Sequence, residues 1–262
     1  MTLAITRLDL RLRRRAVLGY ALGLAAYCLA IVVLYPSFKS DTGLDQLAQS
    51  NSALMAAFGV SGSLTSPDGW LNANLFNNFV PLIAIVLTVG YGAWCVAGQD
   101  EDGTLALTVT QPMTRRRTVL DKALALLLQA LPAVAVTFLC VLLGRAFELT
   151  VGIGPLAGVS VAILLLAVDF GAFALLLGAW TGSRGLALSV ASAVAAATYL
   201  ISSLAPVISW LGPVKHISPF YWALGNDPVA NGISGWGLLA LLVTALILIG
   251  AAGVMYRRLD VH

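Results

Sequence analysis

Six long apolar stretches, separated by polar segments of very unequal length, organise the chain. A hydrocarbon core about 30 Å thick needs about 20 apolar residues in a helix. By that measure the pattern predicts spans over residues 16–35, 79–97, 119–143, 155–180, 186–207 and 236–256. Ahead of the first span, residues 1–15 place Arg7, Arg11 and Arg14 on one face of a helical projection and Ile5, Leu8 and Leu12 on another. That is the signature of an interfacial amphipathic helix. A secretory leader also opens with a basic region, but here no A-x-A-like cleavage site accompanies it and the following run is long enough to span. The expected fold class is all-α, a polytopic membrane protein with six transmembrane helices in one domain over residues 1–262.

Prolines and polar residues punctuate the spans. Pro36 marks the exit of the first, and a loop over residues 37–78 follows, rich in Ser, Asn and Gly, with Asp41, Asp45 and Asp68 against Lys39. Pro81 falls in the first turn of the second span, where no internal amide bond is lost, whereas Pro132 in the middle of the third is expected to kink it. Only the turn over residues 181–185 separates the fourth and fifth spans. Residues 208–235 are unusually aromatic: Trp210, Phe220, Tyr221, Trp222 and the following Trp236 suit a headgroup-level belt. His216 in this segment has no second histidine or cysteine near it, so no metal site is expected.

Composition agrees with the pattern. The chain is 59% hydrophobic and 10% charged, with a mean hydropathy of +0.91, far from the quarter-charged average of a soluble domain. Cys28, Cys95 and Cys140 all lie within apolar runs, so neither a disulfide framework nor a C-x-x-C metal or redox pair is supported. The basic excess is explained by topology rather than by nucleic acid. Twelve basic residues (Arg7, Arg11, Arg13, Arg14, Arg15, Arg115, Arg116, Arg117, Lys122, Arg184, Arg257 and Arg258) fall on one side of a six-span arrangement. Lys39, Arg145 and Lys215 fall on the other, so the first side, with both termini, is expected to be cytoplasmic.

That side also receives the one strongly charged internal segment, QDEDGTLALTVTQPMTRRRTVLDK, from Gln99 to Lys122. It reads as a short apolar helix carrying Leu105, Leu107 and Val109, ended by Pro112, then a second helix capped by the Thr114 hydroxyl. Glu101, Gly103, Thr104 and Leu105, followed by Pro112, Thr114, Arg115 and Lys122, resemble the intracellular segment of ABC-2 type transporter permeases, in which E-x-G-T-L precedes a P-[VIM]-[ST]-R turn and a lysine. Gln99 stands where relatives often carry a second acidic residue. The resemblance implies that this segment docks a separate ATPase subunit, with Glu101, Gly103, Thr104, Leu105, Leu107, Pro112, Arg115, Arg116, Arg117 and Lys122 as coupling residues. It further implies an N-terminal elbow helix, two ATPase copies that carry ATP and Mg, a second permease copy or a homologous one, and residence in the plasma membrane of a bacterium.

The remaining residues narrow the function without fixing a substrate. Asp169 is the one acidic residue expected inside the hydrocarbon, where insertion costs about 2.5–3.5 kcal/mol, so it is expected to face the bundle interior, either as a structural hydrogen-bonding group or on a translocation path. Gly19 with Gly23, Gly178 with Gly182, and Ser189, Ala193, Ala197 follow the small-xxx-small spacing that lets helices approach in lipid. No Gly-Lys pair occurs anywhere, which excludes a phosphate loop, and H-E-x-x-H and G-x-S-x-G are absent as well. The expected function is therefore the non-enzymatic permease subunit of an exporter of hydrophobic or amphipathic compounds, with no cofactor of its own. The alternative is a non-transporting membrane scaffold or sensor that recruits some other cytoplasmic protein.

Overall fold

A computed structural model describes residues 4–40, 43, 46, 50, 63–104, 114–225 and 227–258. Among them there is no strand, and six helices are long and apolar enough to cross a membrane. These are α1 (Ala4–Phe38), α2 (Pro67–Glu101), α3 (Arg115–Leu143), α4 (Ile153–Thr181), α5 (Arg184–Leu204) and α6 (Gly235–Arg258).

The bundle is built around α4, which packs against α2, α3, α5 and α6. A helix that is apolar on all sides belongs in the interior, and Ala162, Ile163, Leu166, Ala167, Ala174 and Leu175 are all fully buried. Its closest neighbour is α2, and glycine makes the approach possible: a Cβ placed on Gly92 would lie 2.2 Å from the Gly171 carbonyl oxygen. By contrast, only 17% of the apolar window is buried within the chain in α5 and in α6. Their outer faces are left for lipid or another protein.

Two helices differ from the sequence pattern. The amphipathic segment and the first span form one unbroken helix, because nothing between Arg15 and Ala16 stops it and Pro36 lies inside its last turn. At 1.5 Å per residue, α1 is about 50 Å long and overshoots the hydrocarbon core. Its first turns do not lie free. Ile5, Thr6 and Asp9 are buried, while Leu8 and Leu12 are exposed, and the Thr6 hydroxyl donates to the Asp121 carbonyl of α3 at 2.9 Å.

In α2 the helical run begins at Pro67, within the stretch expected to be loop, and contains two π-helical turns, Asn72–Phe76 and Trp94–Gly98. Ser66 caps its start by accepting from the Gly69 N–H at 3.1 Å. The first turns then pack on the end of α1: Trp70 Nε1 donates to the Ile31 carbonyl at 3.1 Å, and the Trp70 ring stacks on Phe38. This end is tied further by the Lys39–Glu148 ion pair. α3 continues through Pro132 as a single helix. In the aromatic segment Trp210 and Trp236 are exposed, whereas Phe220, expected with them in a belt, is buried between Phe170 and Tyr199.

Candidate functional site

The charged segment starts from a well-defined helix end. α2 stops at Glu101, and Gly103 takes a left-handed φ of 67°. Two bonds close the turn: the Thr104 N–H donates to the Gln99 carbonyl at 2.8 Å and the Gly103 N–H to the Asp100 carbonyl at 2.9 Å. This is a Schellman termination, which favours glycine because it alone adopts that φ without strain. Gly103 thus acts as the stop of α2.

Glu101 reaches sideways. Its Oε1 accepts from the backbone N–H of Arg184 at 2.9 Å, at the first turn of α5, where a carboxylate complements the helix dipole. The Ser183 hydroxyl caps the same helix by accepting from Leu186 N–H at 3.4 Å. The charged segment and the turn between α4 and α5 are therefore joined at one end of the bundle.

Leu105, Leu107, Val109 and Pro112 lie outside the described residues. The chain resumes at Thr114, which sits at the N-cap position in extended conformation, but its hydroxyl takes no first-turn amide. Instead its carbonyl accepts from the N–H groups of Arg117 at 2.9 Å and Thr118 at 3.2 Å. Arg115 and Arg116 open α3, and Arg117 is exposed. Three cations at a helix N-terminus oppose the macrodipole and do not help this helix form.

Lys122 requires a correction, because the resemblance put it on the docking surface and its side chain is fully buried. A buried side chain cannot touch a partner directly. Its Nζ donates to the Gln99 side-chain oxygen at 2.8 Å and to the Cys95 carbonyl, inside the second π turn of α2, and it lies 3.8 Å from Asp9 Oδ2. Asp9 in turn accepts from Gln99 Nε2 at 3.2 Å and from the Tyr91 hydroxyl at 2.5 Å. The Arg13 guanidinium sits 5.8 Å from the centre of the Tyr91 ring. Removing one partner of a buried ion pair costs about 3–5 kcal/mol, because the other charge is left uncompensated. Sequence reasoning missed Asp9. The available signal was an i, i+4, i+8 stripe of Ile5, Asp9 and Arg13, which places an acid on the inward face of a helix that appears basic.

Asp169 lies in the middle of α4 at 3% exposure, and neither carboxyl oxygen has a hydrogen-bond partner within the described chain. Gln129 of α3, also unpredicted, is fully buried with both side-chain polar atoms unpaired. Such groups are uncommon and are often functional rather than stabilising. Asp169 does not line the apolar groove on the bundle surface. That groove, about 420 Å³, runs between α2 and α5 and is walled by Leu82, Ile85, Val86, Val89, Leu188, Ala195, Ala196, Leu200 and Phe220. Its polar lining is Asn78, Ser192 and Tyr199, and the Tyr199 hydroxyl donates to the Asn78 side-chain oxygen.

A family model described as "ABC-2 family transporter protein" matches residues 3–261. The chain belongs to that family. It is an ABC-2 permease, a multi-pass membrane protein of a class that serves as the non-catalytic, membrane-spanning partner of an ABC ATPase. No curated protein matches the chain. Within this permease the small-residue pairs divide by use. Gly178 packs 3.5 Å from the Ala97 side chain, measured from an added Cβ, and Gly182 ends α4 with φ 64°. Ser189, Ala193 and Ala197 form an exposed row on α5.

Proposed function

We propose that this permease exports a hydrophobic or amphipathic compound as one half of a paired membrane domain, driven by two copies of a separate ATPase that carry ATP and Mg. The groove between α2 and α5 is the observation that supports the cargo class. Its walls carry no charge, and two of its three polar side chains, Asn78 and Tyr199, already bond each other. A charged solute would enter without compensation for its lost hydration, whereas an apolar one loses little.

Pairing is supported by the lightly covered α5, whose exposed row of Ser189, Ala193 and Ala197 permits close helix contact in lipid. The basic asymmetry supports placing both termini and the Gln99–Lys122 segment in the cytoplasm, and the reading takes the membrane to be a bacterial plasma membrane. ATP binding would close the two ATPases and pull on the segment following Thr104. Gly103, Pro112 and Arg115 would pass that movement to α2 and α3, with Glu101, Arg115, Arg116 and Arg117 orienting the docked partner and Leu105 and Leu107 supplying apolar contact.

Purification in mild detergent tests the core of this reading. An ABC ATPase should co-purify with the permease, and its ATP hydrolysis should respond to hydrophobic compounds. Capture of a different cytoplasmic protein, with no ATPase, would support the scaffold alternative and overturn the transporter reading.

A further inference from the structure

The buried polar cluster at the arginine-rich end is larger than the packing of two helices requires. Asp9 comes from α1, Tyr91 and Gln99 from α2, and Lys122 from α3, so three helices meet in one bonded group. Each of these side chains is at most 6% exposed. The cluster also adjoins the segment that the functional reading assigns to the ATPase: Gln99 lies two residues before Glu101, and Lys122 lies seven residues into α3. The Gln99 backbone carbonyl takes the bond that closes the Gly103 turn, while its side-chain amide bridges Asp9 and Lys122. One residue thus belongs to both the stop of α2 and the interior cluster.

We propose that Asp9, Tyr91, Gln99 and Lys122 form a latch that fixes the inner end of α1 to both helices flanking the coupling segment, so that α1 is carried along when a docked ATPase moves them. This rests on the ATPase-driven reading above. The residues are positioning residues, not contacts for cargo or nucleotide. Outside the cluster, α1 is tied to α3 at this end by the Thr6 hydroxyl on the Asp121 carbonyl, a bond that does not reach α2. A charged pair with a bridging amide has one low-energy geometry, and a displaced partner would leave an uncompensated charge in a dry interior. The second π turn of α2 contributes as well: it presents the Cys95 carbonyl to Lys122, and such turns recur at functional sites.

The test uses the full-length permease in lipid nanodiscs, with spin labels replacing the exposed Arg11 of α1 and Leu120 of α3, and distances read by pulsed electron resonance. In wild type the 11–120 distance should form one narrow population. It should be unchanged when the co-purifying ATPase is trapped with ADP and vanadate. In Asp9→Leu/Lys122→Met, which replaces both charges with apolar groups and leaves neither orphaned, the distribution should be about twofold broader and should shift on trapping. Gln99→Met keeps both charges and removes only the bridge, and should broaden the distribution to a smaller degree whether or not the double variant folds. A wild-type distance that shifts on trapping, or variants as narrow and as fixed as wild type, would overturn the latch. Lys122→Met alone should lose folded yield, and full yield in that variant would likewise count against it. If wild type binds no ATPase, the functional reading fails, and with it the carrying of α1. The width comparison on the permease alone still decides whether the cluster fixes the three helix ends.

Discussion

Glu101 and Arg184 are joined at 2.9 Å, carboxylate oxygen to backbone N–H, although 83 positions separate them in the chain. A force applied just beyond Glu101 is therefore applied at the start of α5 as well, and α5 forms one wall of the apolar groove. The start of the charged segment and the groove are linked through this contact and through α2 itself.

Glu101→Ala combined with Leu105→Ala should weaken ATPase binding about tenfold or more, the scale at which loss of interface anchors becomes measurable. Pro112→Ala should leave binding intact and uncouple it, since it removes the proline stop that the sequence places ahead of α3. Affinity by surface-immobilised pull-down and compound-stimulated ATP hydrolysis separate the two. Full binding and full stimulation in both variants would reduce the segment to a charged loop.

Gly92→Ala should destabilise the bundle by about 3 kcal/mol, at the upper end of overpacking effects, because its Cβ meets backbone rather than a movable side chain. Thermal unfolding in detergent followed by tryptophan fluorescence reads the effect. Gly23→Ala, where nothing lies within 4 Å, serves as the control in which no loss of stability is expected.

Gly103→Ala tests the turn. Space is free around it, so the effect comes from the left-handed φ alone, about 1–2 kcal/mol. Faster amide exchange at Gly103 and Thr104, with the rest of α2 unchanged, is the expected outcome. Gly103→Asn should be milder, since asparagine tolerates this region.

Asp169→Asn should preserve expression and assembly while altering compound-stimulated ATP hydrolysis, if the unpartnered carboxyl serves a pathway. Asp169→Leu should fold at least as well as wild type, because it removes a buried polar group that bonds nothing among the described residues. Loss of folded protein in both would assign Asp169 a structural role.

Cysteine accessibility should place Ser50 on one side of the membrane and Thr114 and Ser183 on the other. Labelling of Ser50 and Thr114 from the same side would remove the six-span topology.

The six spans were legible because apolar runs of the required length have few other uses, and the charge asymmetry needed only counting. The π turns of α2 were not legible, since a π turn inserts a residue without changing composition. The Glu101–Gly103–Thr104 motif was legible as a motif, but its mechanics required coordinates: Gly103 closes a turn and Glu101 reaches another loop. Lys122 was misplaced because the resemblance grouped it with the charged segment, and nothing near it in the sequence shows that its side chain turns inward. Only the fold shows that Asp9, more than a hundred residues away, compensates it.

Gln99 has one further consequence. A carboxylate at that position could accept from Lys122 but could not donate to Asp9, and two acids would face one ammonium in a dry interior. Positions 9 and 99 therefore behave as a single site split between two helices. One buried lysine balances one carboxylate, whichever of the two positions carries it, so in relatives that keep this lysine substitutions at 9 and 99 should co-vary.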